Sequence, residues 1–315
     1  MRKSSDQSGR SVAVVIVNWN CGELLTECLK TVCHSDQPGV QAVVIDNGSD
    51  DGSLDSVRQF FPETHIIQNN KNLGFAKASN QGLEWAQQQQ FPYMLLLNAD
   101  TRIHPAMISE LVAAAQRHNN TIAACPKIYQ WRAPDTLWFA YGLSNLWTGN
   151  FSNPAYGRYD TPAFTTARDM GYASGCCILM PARVVDRVGL LDETLFAYCE
   201  DVDWSLRCRR AGFRLCYVPD ACMWHWGGSP EAKKRPATYR YLTTRNQIWV
   251  LRRNACLAQF TTFIALYPLR ALYRIIKLGV TGDWPSARAE LRGAKDGFFS
   301  SRRCPAAKVL RPEAD

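Results

Sequence analysis

The 315-residue sequence has no GxxxxGK[ST] stretch, and no GxGxxG follows its first apolar run, so the two common glycine-rich phosphate cradles are absent. No segment reaches the ~20 continuous apolar residues of a membrane-spanning helix. The first apolar run, Val12 to Val17, is six residues long. That is too short for the core of a secretory signal, and none is expected. Twelve cysteines include no CxxC pair, and Cys176 and Cys177 are adjacent. This spacing argues against a zinc ribbon or a disulfide framework and for reduced thiols in the cytoplasm, acting as small hydrophobic residues. There is no internal repeat, and no low-complexity tract beyond Gln87 to Gln90, which excludes solenoids and repeat arrays.

What remains is a composition of 46% hydrophobic and 20% charged residues, enough to bury the core of one large domain or two modest ones. The net charge of +8 is uneven. Glu231 to Asp315 holds 17 Lys or Arg against 6 Asp or Glu, a net +11, which leaves −3 for Met1 to Pro230. The basic tail calls for an anionic partner: a membrane surface, a phosphorylated lipid or nucleic acid. Nucleic acid is set aside, because the tail's Arg and Lys are not interleaved with any nucleic-acid-binding motif. Ala255 to Leu269 carries no charge, and Arg270, Arg274 and Lys277 then fall on one helical face. That face is either solvated or against an anionic membrane surface, and the adjoining Leu, Ile and Tyr make membrane contact the expectation.

The first hundred residues alternate. Strands are expected at Val12–Val17, Gln41–Ile45, His65–Gln68 and Tyr93–Leu97, and helices at Glu23–Val32, Leu54–Phe60 and Phe75–Gln90. This rhythm predicts a parallel sheet with helices on both faces, whose ligands bind at the carboxyl ends of the strands. Asn18-Trp19-Asn20, Asp46-Asn47-Gly48-Ser49, Asn69 to Gly74 and Asn98-Ala99-Asp100 all lie there. Asp46 can accept the N–H of a pyrimidine ring, and asparagines can bond ribose or base edges. A diphosphate would then need a metal, Arg or Lys beside it. Lys77 faces either solvent or a phosphate.

Trp131 to Tyr172 is rich in aromatics, Gly, Pro and Asn, and hairpins and loops covering the crevice are expected. Beyond it come the apolar run Cys176–Pro181, a short helix over Ala182–Val188, a helix over Glu200–Arg210, a strand over Phe213–Val218, and Met223–Gly228 leading into WHWGGSP. The Glu200–Arg210 helix is acidic at its start and basic at its end, with Gly212 following, as the helix dipole and a C-terminal stop require. Its acidic first turn is either a cap or a source of catalytic carboxylates. His225, between two tryptophans, is either packed or a ligand.

The stretches VVIVNWN, DNGSDDGS, NLGFAKASNQG, LLLNAD, YASGCCILMPARVVDRVGLLDETLFAYCEDVDWSLRCRRAGF and HWGGSP occur in this order. Together they resemble the family 2 glycosyltransferases, inverting enzymes of the GT-A fold, and most of all their bacterial rhamnosyltransferase branch, over roughly Val12 to Trp249. The resemblance implies that Asp46 reads the nucleotide base, with Asn18, Asn20, Asn47 and Ser49 around it. Asn72, Gly74 and Asn80, from N-x-G-F-A-x-x-x-N, would close the nucleotide pocket. Asn98-Ala99-Asp100 matches an Asp-x-Asp motif that carries a divalent cation, Mg²⁺ or Mn²⁺, on the donor diphosphate. Asn98 replaces the first acid and suits ribose better. Asp100 and His225 would be the metal ligands. Gly175 and Cys176 match a small-residue turn beside the donor sugar, and Arg245, followed by Asn246 in TTRNQIW, belongs to the same donor and diphosphate side. Asp201 would be the catalytic base with Glu200 beside it. The helix dipole should keep Asp201 ionised, and because neighbours on a helix diverge, only one of the two should face the sugar.

The expected architecture is α/β: a GT-A, Rossmann-like nucleotide-diphospho-sugar transferase fold with a mostly parallel sheet and a helical C-terminal extension. A flexible 1–10 precedes a transferase domain over 11–250, with a nucleotide-binding half at 11–125 and an acceptor and catalytic half at 126–250. Residues 251–315 form the basic, partly apolar helical region. The implied activity is inverting transfer of a hexose, L-rhamnose from dTDP-rhamnose, to a glycan or polyprenyl-diphosphate-linked acceptor in surface polysaccharide synthesis. A UDP-hexose donor and a nucleotide-binding scaffold without turnover are the rivals. The expected location is the cytoplasm, peripheral to the inner face of the plasma membrane.

Overall fold

A computed structural model describes residues 11–227 and 237–300. The 1–10 segment, Gly228, Ser229 and Pro230 of HWGGSP, and residues 301–315 lie outside the described residues. The chain alternates as the sequence predicts: β1 (Val12–Asn18), α1 (Glu23–Cys33), β2 (Val40–Asp46), α2 (Ser53–Phe60), β3 (His65–Gln68), α3 (Phe75–Gln88) and β4 (Tyr93–Asn98). Strands β1 and β4 are buried along nearly their whole length. Both faces of such strands are covered, which is why they read as apolar runs and not as alternating ones. Helix α3 lies close on β1 because Gly82 has no Cβ: an added one would sit 2.4 Å from Val15.

The rest of the sheet comes from β5 (Thr101–Ile103), β6 (Ile122–Gln130), β7 (Ala133–Phe139), β10 (Arg168–Asp169), β11 (Cys177–Pro181) and β12 (Arg214–His225). The order is β10-β12-β6-β11-β4-β1-β2-β3, with β5 on β12 and β7 on β6. Strands β1, β2, β3 and β4 are parallel, β6 and β12 run the same way, and β11 runs against β4 and β6 between them. The sheet is thus mixed and mostly parallel. Helix α4 (Met107–Arg117) packs beside β12 and β6. β8 (Leu143–Asn145) and β9 (Asn150–Ser152) form a separate hairpin.

Several expectations change. Helix α3 ends at Gln88, two residues early. The two segments expected between Phe213 and Gly228 are one strand, β12, with a bulge between Val218 and Cys222. The bulge lies opposite Pro126 and Lys127 of β6, where proline offers no N–H to the ladder. Neither α4 nor β6 was singled out by periodicity.

α5 (Ala182–Val188) and α6 (Glu200–Arg210) precede β12, and α7 (Ala237–Asn254), α8 (Leu257–Val280) and α9 (Trp284–Phe299) form the C-terminal extension. Helix α9 packs along α7 and against α8. The basic face expected at Arg270, Arg274 and Lys277 is not uniform. The Arg270 guanidinium donates to the Thr148 carbonyl, and Arg274 pairs with buried Glu290 at 2.7 Å. Lys277 is exposed. Among the described residues no helix is long and apolar enough to cross a membrane. Every described cysteine is a free thiol and most are at least partly buried, in keeping with a packing role. Burial pushes the Cys28 thiol up to about 12.

Candidate active site

The strands that run together end together. Asn18, Asp46, Gln68, Asn98, Gln130 and His225 are the last residues of β1, β2, β3, β4, β6 and β12. Because β11 runs the other way, the residues just before it reach the same edge. Cys177 pairs with Leu97, and the Cys176 carbonyl accepts from Asn98 N–H at 2.9 Å. The 125 positions between Asp100 and His225 are closed by β5, whose Thr101 pairs with His225. His225 Nε2 lies 3.1 Å from Asp100 Oδ1 and 3.5 Å from Asn98 Nδ2, while its Nδ1 is buried without a partner among the described residues. Burial acts to raise the Asp100 carboxyl, but the hydrogen bond and charge of His225 together with backbone N–H groups outweigh it, and the net shift is downward.

A cavity of about 550 Å³ opens here. Its lining takes Asn98 and Asp100 from the β4–β5 turn, Ser174, Gly175 and Cys176 from before β11, Ala197, Tyr198, Glu200 and Asp201 from the start of α6, and His225 and Gly227 from the end of β12. Phe75, Trp138, Tyr156 and Tyr239 complete the wall. Asp201 accepts from Gly175 N–H at 2.9 Å and from Val202 N–H at 2.8 Å. A Cβ at Gly175 would lie 3.3 Å from that of Asp201, so this turn favours a residue without one. The third acid of the turn, Asp203, does not reach the cavity: it binds Arg207 at 2.8 Å and accepts from Asn254 at 3.0 Å.

Two expectations about the carboxylates are corrected. Glu200 and Asp201 both line the cavity, because it lies off the N-terminal end of α6 and not along one side of it. Nor does the dipole hold Asp201 low. Burial raises its carboxyl above 3.8, the ordinary value, against the two backbone N–H groups. Glu200 is 6% exposed, its Oε2 has no partner among the described residues, and burial followed by the Asp201 charge pushes it well above 4.5. Two adjacent buried carboxyls at one cavity each make the other harder to ionise.

The turn before α6 is strained. Phe196, Tyr198 and Cys199 have φ of 65°, 69° and 67°. Each such residue costs roughly 1–3 kcal/mol and persists only where its surroundings hold it. Here α7 holds it. Asn246 Nδ2 lies 2.8, 2.9 and 2.7 Å from the carbonyls of Leu195, Ala197 and Tyr198, and Arg245 Nη2 donates to Leu195 O at 3.1 Å. Arg245, expected on the diphosphate side, is 1% exposed, lies over Trp249 with 4.4 Å to the ring centre, and is not among the residues that line this cavity.

The remaining expected residues form a tightly bonded shelf beside the cavity. Buried Asn18 donates to Asp46 Oδ1, Ser49 Oγ and Ser53 Oγ at 2.8, 3.0 and 2.8 Å. Asp46 Oδ2 accepts from Ser49 N–H at 3.2 Å. The Asn20 side chain accepts from Asp50 N–H at 2.9 Å. Asn47 bonds Asn72 and Leu73, and Asn72 bonds Gly74 N–H. Asn80 was expected to close the nucleotide pocket. It is buried against Leu191 and Glu193, donating and accepting to pin that loop. Lys77 pairs with Glu193 at 3.4 Å. Sequence reasoning missed Phe75, Ser174, Tyr198 and Tyr239 as cavity residues. Trp138 and Tyr156 are the aromatics of the 131–172 region that reach it.

Among the described residues no three of His, Cys, Asp and Glu converge as a metal site. Asp100 and His225 would offer one oxygen and one nitrogen, a donor pair compatible with Mg²⁺ or Mn²⁺ only if substrate oxygens and water complete the shell.

The sequence matches the family described as "Glycosyltransferase like family 2" over residues 9–250. It is 28% identical over 264 residues to the N-acetylglucosaminyl-diphospho-decaprenol L-rhamnosyltransferase of Mycobacterium tuberculosis, covering 75% of this chain and 85% of that one. It is 24% identical over 256 residues to the dTDP-rhamnosyl transferase RfbF of Shigella flexneri, covering 78% and 81%. Among solved structures, the mannosyltransferase PcManGT of Pyrobaculum calidifontis, in complex with GDP-Man and Mn²⁺, aligns with a TM-score of 0.55 at 14% identity, over 92% of this chain and 87% of that one. GalNAc-T7 with UDP, GalNAc and Mn²⁺ aligns with a TM-score of 0.58 at 19% identity, over 77% of this chain but only 47% of that one. These structures share the GT-A fold.

Proposed function

The chain belongs to glycosyltransferase-like family 2, and we propose that it transfers L-rhamnose with inversion from dTDP-rhamnose to a glycan or polyprenyl-diphosphate-linked acceptor in bacterial surface polysaccharide synthesis. The observation that carries the reading is one cavity lined by Asp201 and Glu200 and also by Asp100 and His225. Inverting transfer needs two kinds of group: a base for the acceptor hydroxyl, and a countercharge for the departing diphosphate. The choice of rhamnose is supported by the two bacterial relatives named above, and that of a lipid-linked acceptor by the mycobacterial one.

Asp201, aimed by the N–H groups of Gly175 and Val202, takes the proton of the acceptor hydroxyl as it attacks the anomeric carbon. Glu200, whose carboxyl burial pushes upward, lies beside Asp201 at the same cavity. Asp100 and His225 would hold a divalent cation, whose chemistry is to offset the charge of the nucleoside diphosphate. Tyr156, Tyr198, Tyr239 and Trp138 offer ring faces for sugars. The shelf of Asn18, Asn20, Asp46, Asn47, Ser49, Asn72 and Gly74 seats the nucleoside, with Asn98 at its junction with the cavity. The enzyme would work at the cytoplasmic face of the plasma membrane. Transfer assays with dTDP-rhamnose, UDP-hexoses and GDP-hexoses, each with and without Mg²⁺ or Mn²⁺, test this. Preference for dTDP-rhamnose is expected, and turnover with a UDP-hexose alone would overturn the donor.

A further inference from the structure

Helix α8 is the least covered long element of the fold. It runs 24 residues, about 36 Å at 1.5 Å per residue. Only Phe263 and Tyr267 are fully buried, against Phe298 of α9 and Ile248 and Leu251 of α7. On the opposite side Leu257 (83% exposed), Leu269 (70%), Leu272, Ile276 and Val280 (83%) recur at helical spacing. No charge interrupts them, because Arg270 and Arg274 are turned to Thr148 and Glu290. Lys277 of α8 and Arg288 and Lys295 of α9 are exposed, and so is Trp284, at 60%, at the start of α9.

We propose that this face of α8, with the basic residues of α9, docks on the surface of an anionic lipid bilayer. A charge-free side rich in exposed Leu, Ile and Val, in which the Thr261 and Thr262 hydroxyls bond the helix's own carbonyls, on helices that also carry exposed Lys and Arg, is the pattern of a helix lying in the lipid interface. The net +11 of the tail favours a negatively charged partner. A second copy is disfavoured by the same charges, since a two-fold contact through this face would bring one basic tail near another. Helix α8 is also tied to a segment that leads to the cavity. Arg270 holds the β8–β9 hairpin, whose Leu143 and Trp147 are exposed, and the chain leaving that hairpin reaches Tyr156 in the cavity wall. The proposal deepens the reading of a lipid-linked acceptor, on which it rests for the kind of surface involved.

The test is flotation of the full-length protein with vesicles of phosphatidylcholine alone or of equal parts phosphatidylcholine and phosphatidylglycerol. It compares the wild type with Leu269→Glu/Leu272→Glu/Ile276→Glu and with Lys277→Glu/Arg288→Glu/Lys295→Glu. Melting curves and transfer to a soluble acceptor report folding. The wild type should be monomeric and float with the anionic vesicles, and each triple variant should lose roughly tenfold in partition while remaining folded. Absence of flotation, flotation of the apolar triple like the wild type, or a wild-type dimer that this triple dissociates would each overturn the proposal. Lost flotation with soluble transfer intact would sink the docking alone. Intact flotation with no transfer to a polyprenyl-linked acceptor would sink the acceptor reading alone.

Discussion

The two sides of the site treat their polar groups differently. On the shelf after β1, β2 and β3, most side chains bond one another: Asn18 Nδ2 reaches three oxygens, although its Oδ1 is buried without a partner among the described residues, and Asn69 and Gln81 exchange bonds at 2.8 and 2.9 Å. Around the start of α6 and the end of β12, the ionisable groups Glu200 Oε2 and His225 Nδ1 are buried with no partner among the described residues. Buried polar atoms are normally paired, and those that are not call for a reason. The shelf is held together by hydrogen bonds within its own chain. The catalytic side keeps costly groups in reserve for a substrate, so substitutions on the shelf should act on folding, and substitutions around α6 on turnover.

The largest expected effect is that of Asp201→Asn: a loss of about 10²- to 10⁴-fold in kcat with donor affinity kept, read by transfer kinetics beside calorimetric titration of the nucleotide. Full turnover would refute the base. Next comes Asn246→Ala, which frees the strained turn. A fall of roughly 10- to 100-fold in kcat is expected with donor KM little changed, and equal losses in both would point to a general structural defect. Asn18→Ala strips the donor from Asp46, Ser49 and Ser53 and should cost about 1–3 kcal/mol, measured from denaturant midpoints. An unchanged midpoint would break the contrast between the two sides.

The smallest effect concerns pH. Glu200 has a folded-state pKa raised well above 4.5, so the native state holds a proton that the unfolded state has released. Stability from this group is therefore fully present below 4.5 and declines as pH rises through the folded value. Glu200→Gln should flatten that decline in melting temperature, and an identical slope in both proteins would remove the orphaned acid from the account. The acid limb of kcat should lie above the ordinary aspartate range, because Asp201 is raised as well. A limb near 3.8 would mean that water enters the site.

The first half of the fold was legible because its strands are unbroken apolar runs and its polar residues sit at their ends. Helix α4 and β6 were not. β6 holds Pro126 and Lys127 in its middle, residues that argue against an inner strand. Only the bulge in β12 and the bond from Lys127 to Asp160 at 2.8 Å accommodate them. Family motifs marked Asn98, Asp100, Gly175, Cys176, Glu200, Asp201 and His225, and the structure gathers these in one cavity. Motif membership could not tell residues that face the cavity from those that support it. Arg245 and Asn80 look like binding residues in the sequence, and only tertiary contacts reveal that both also bond the 191–198 loop.

The two sides meet most tightly at Gly74. Its φ is +91°, and a Cβ there would lie 2.6 Å from both the carbonyl oxygen and the ring of Phe196, with the Phe196 carbonyl also accepting from Ala76. Sequence exchange between relatives has to respect this seam. A chimera joining one parent's first hundred residues to another's remainder inherits the loop at 74 and the turn at 196 from different histories, with no slack between them. Crossovers that separate these positions should yield few active offspring, whereas those that exchange the tail after α7 should be tolerated. Scored by transfer activity across a recombination library, that asymmetry would mark where the enzyme can be cut into modules and where it is indivisible.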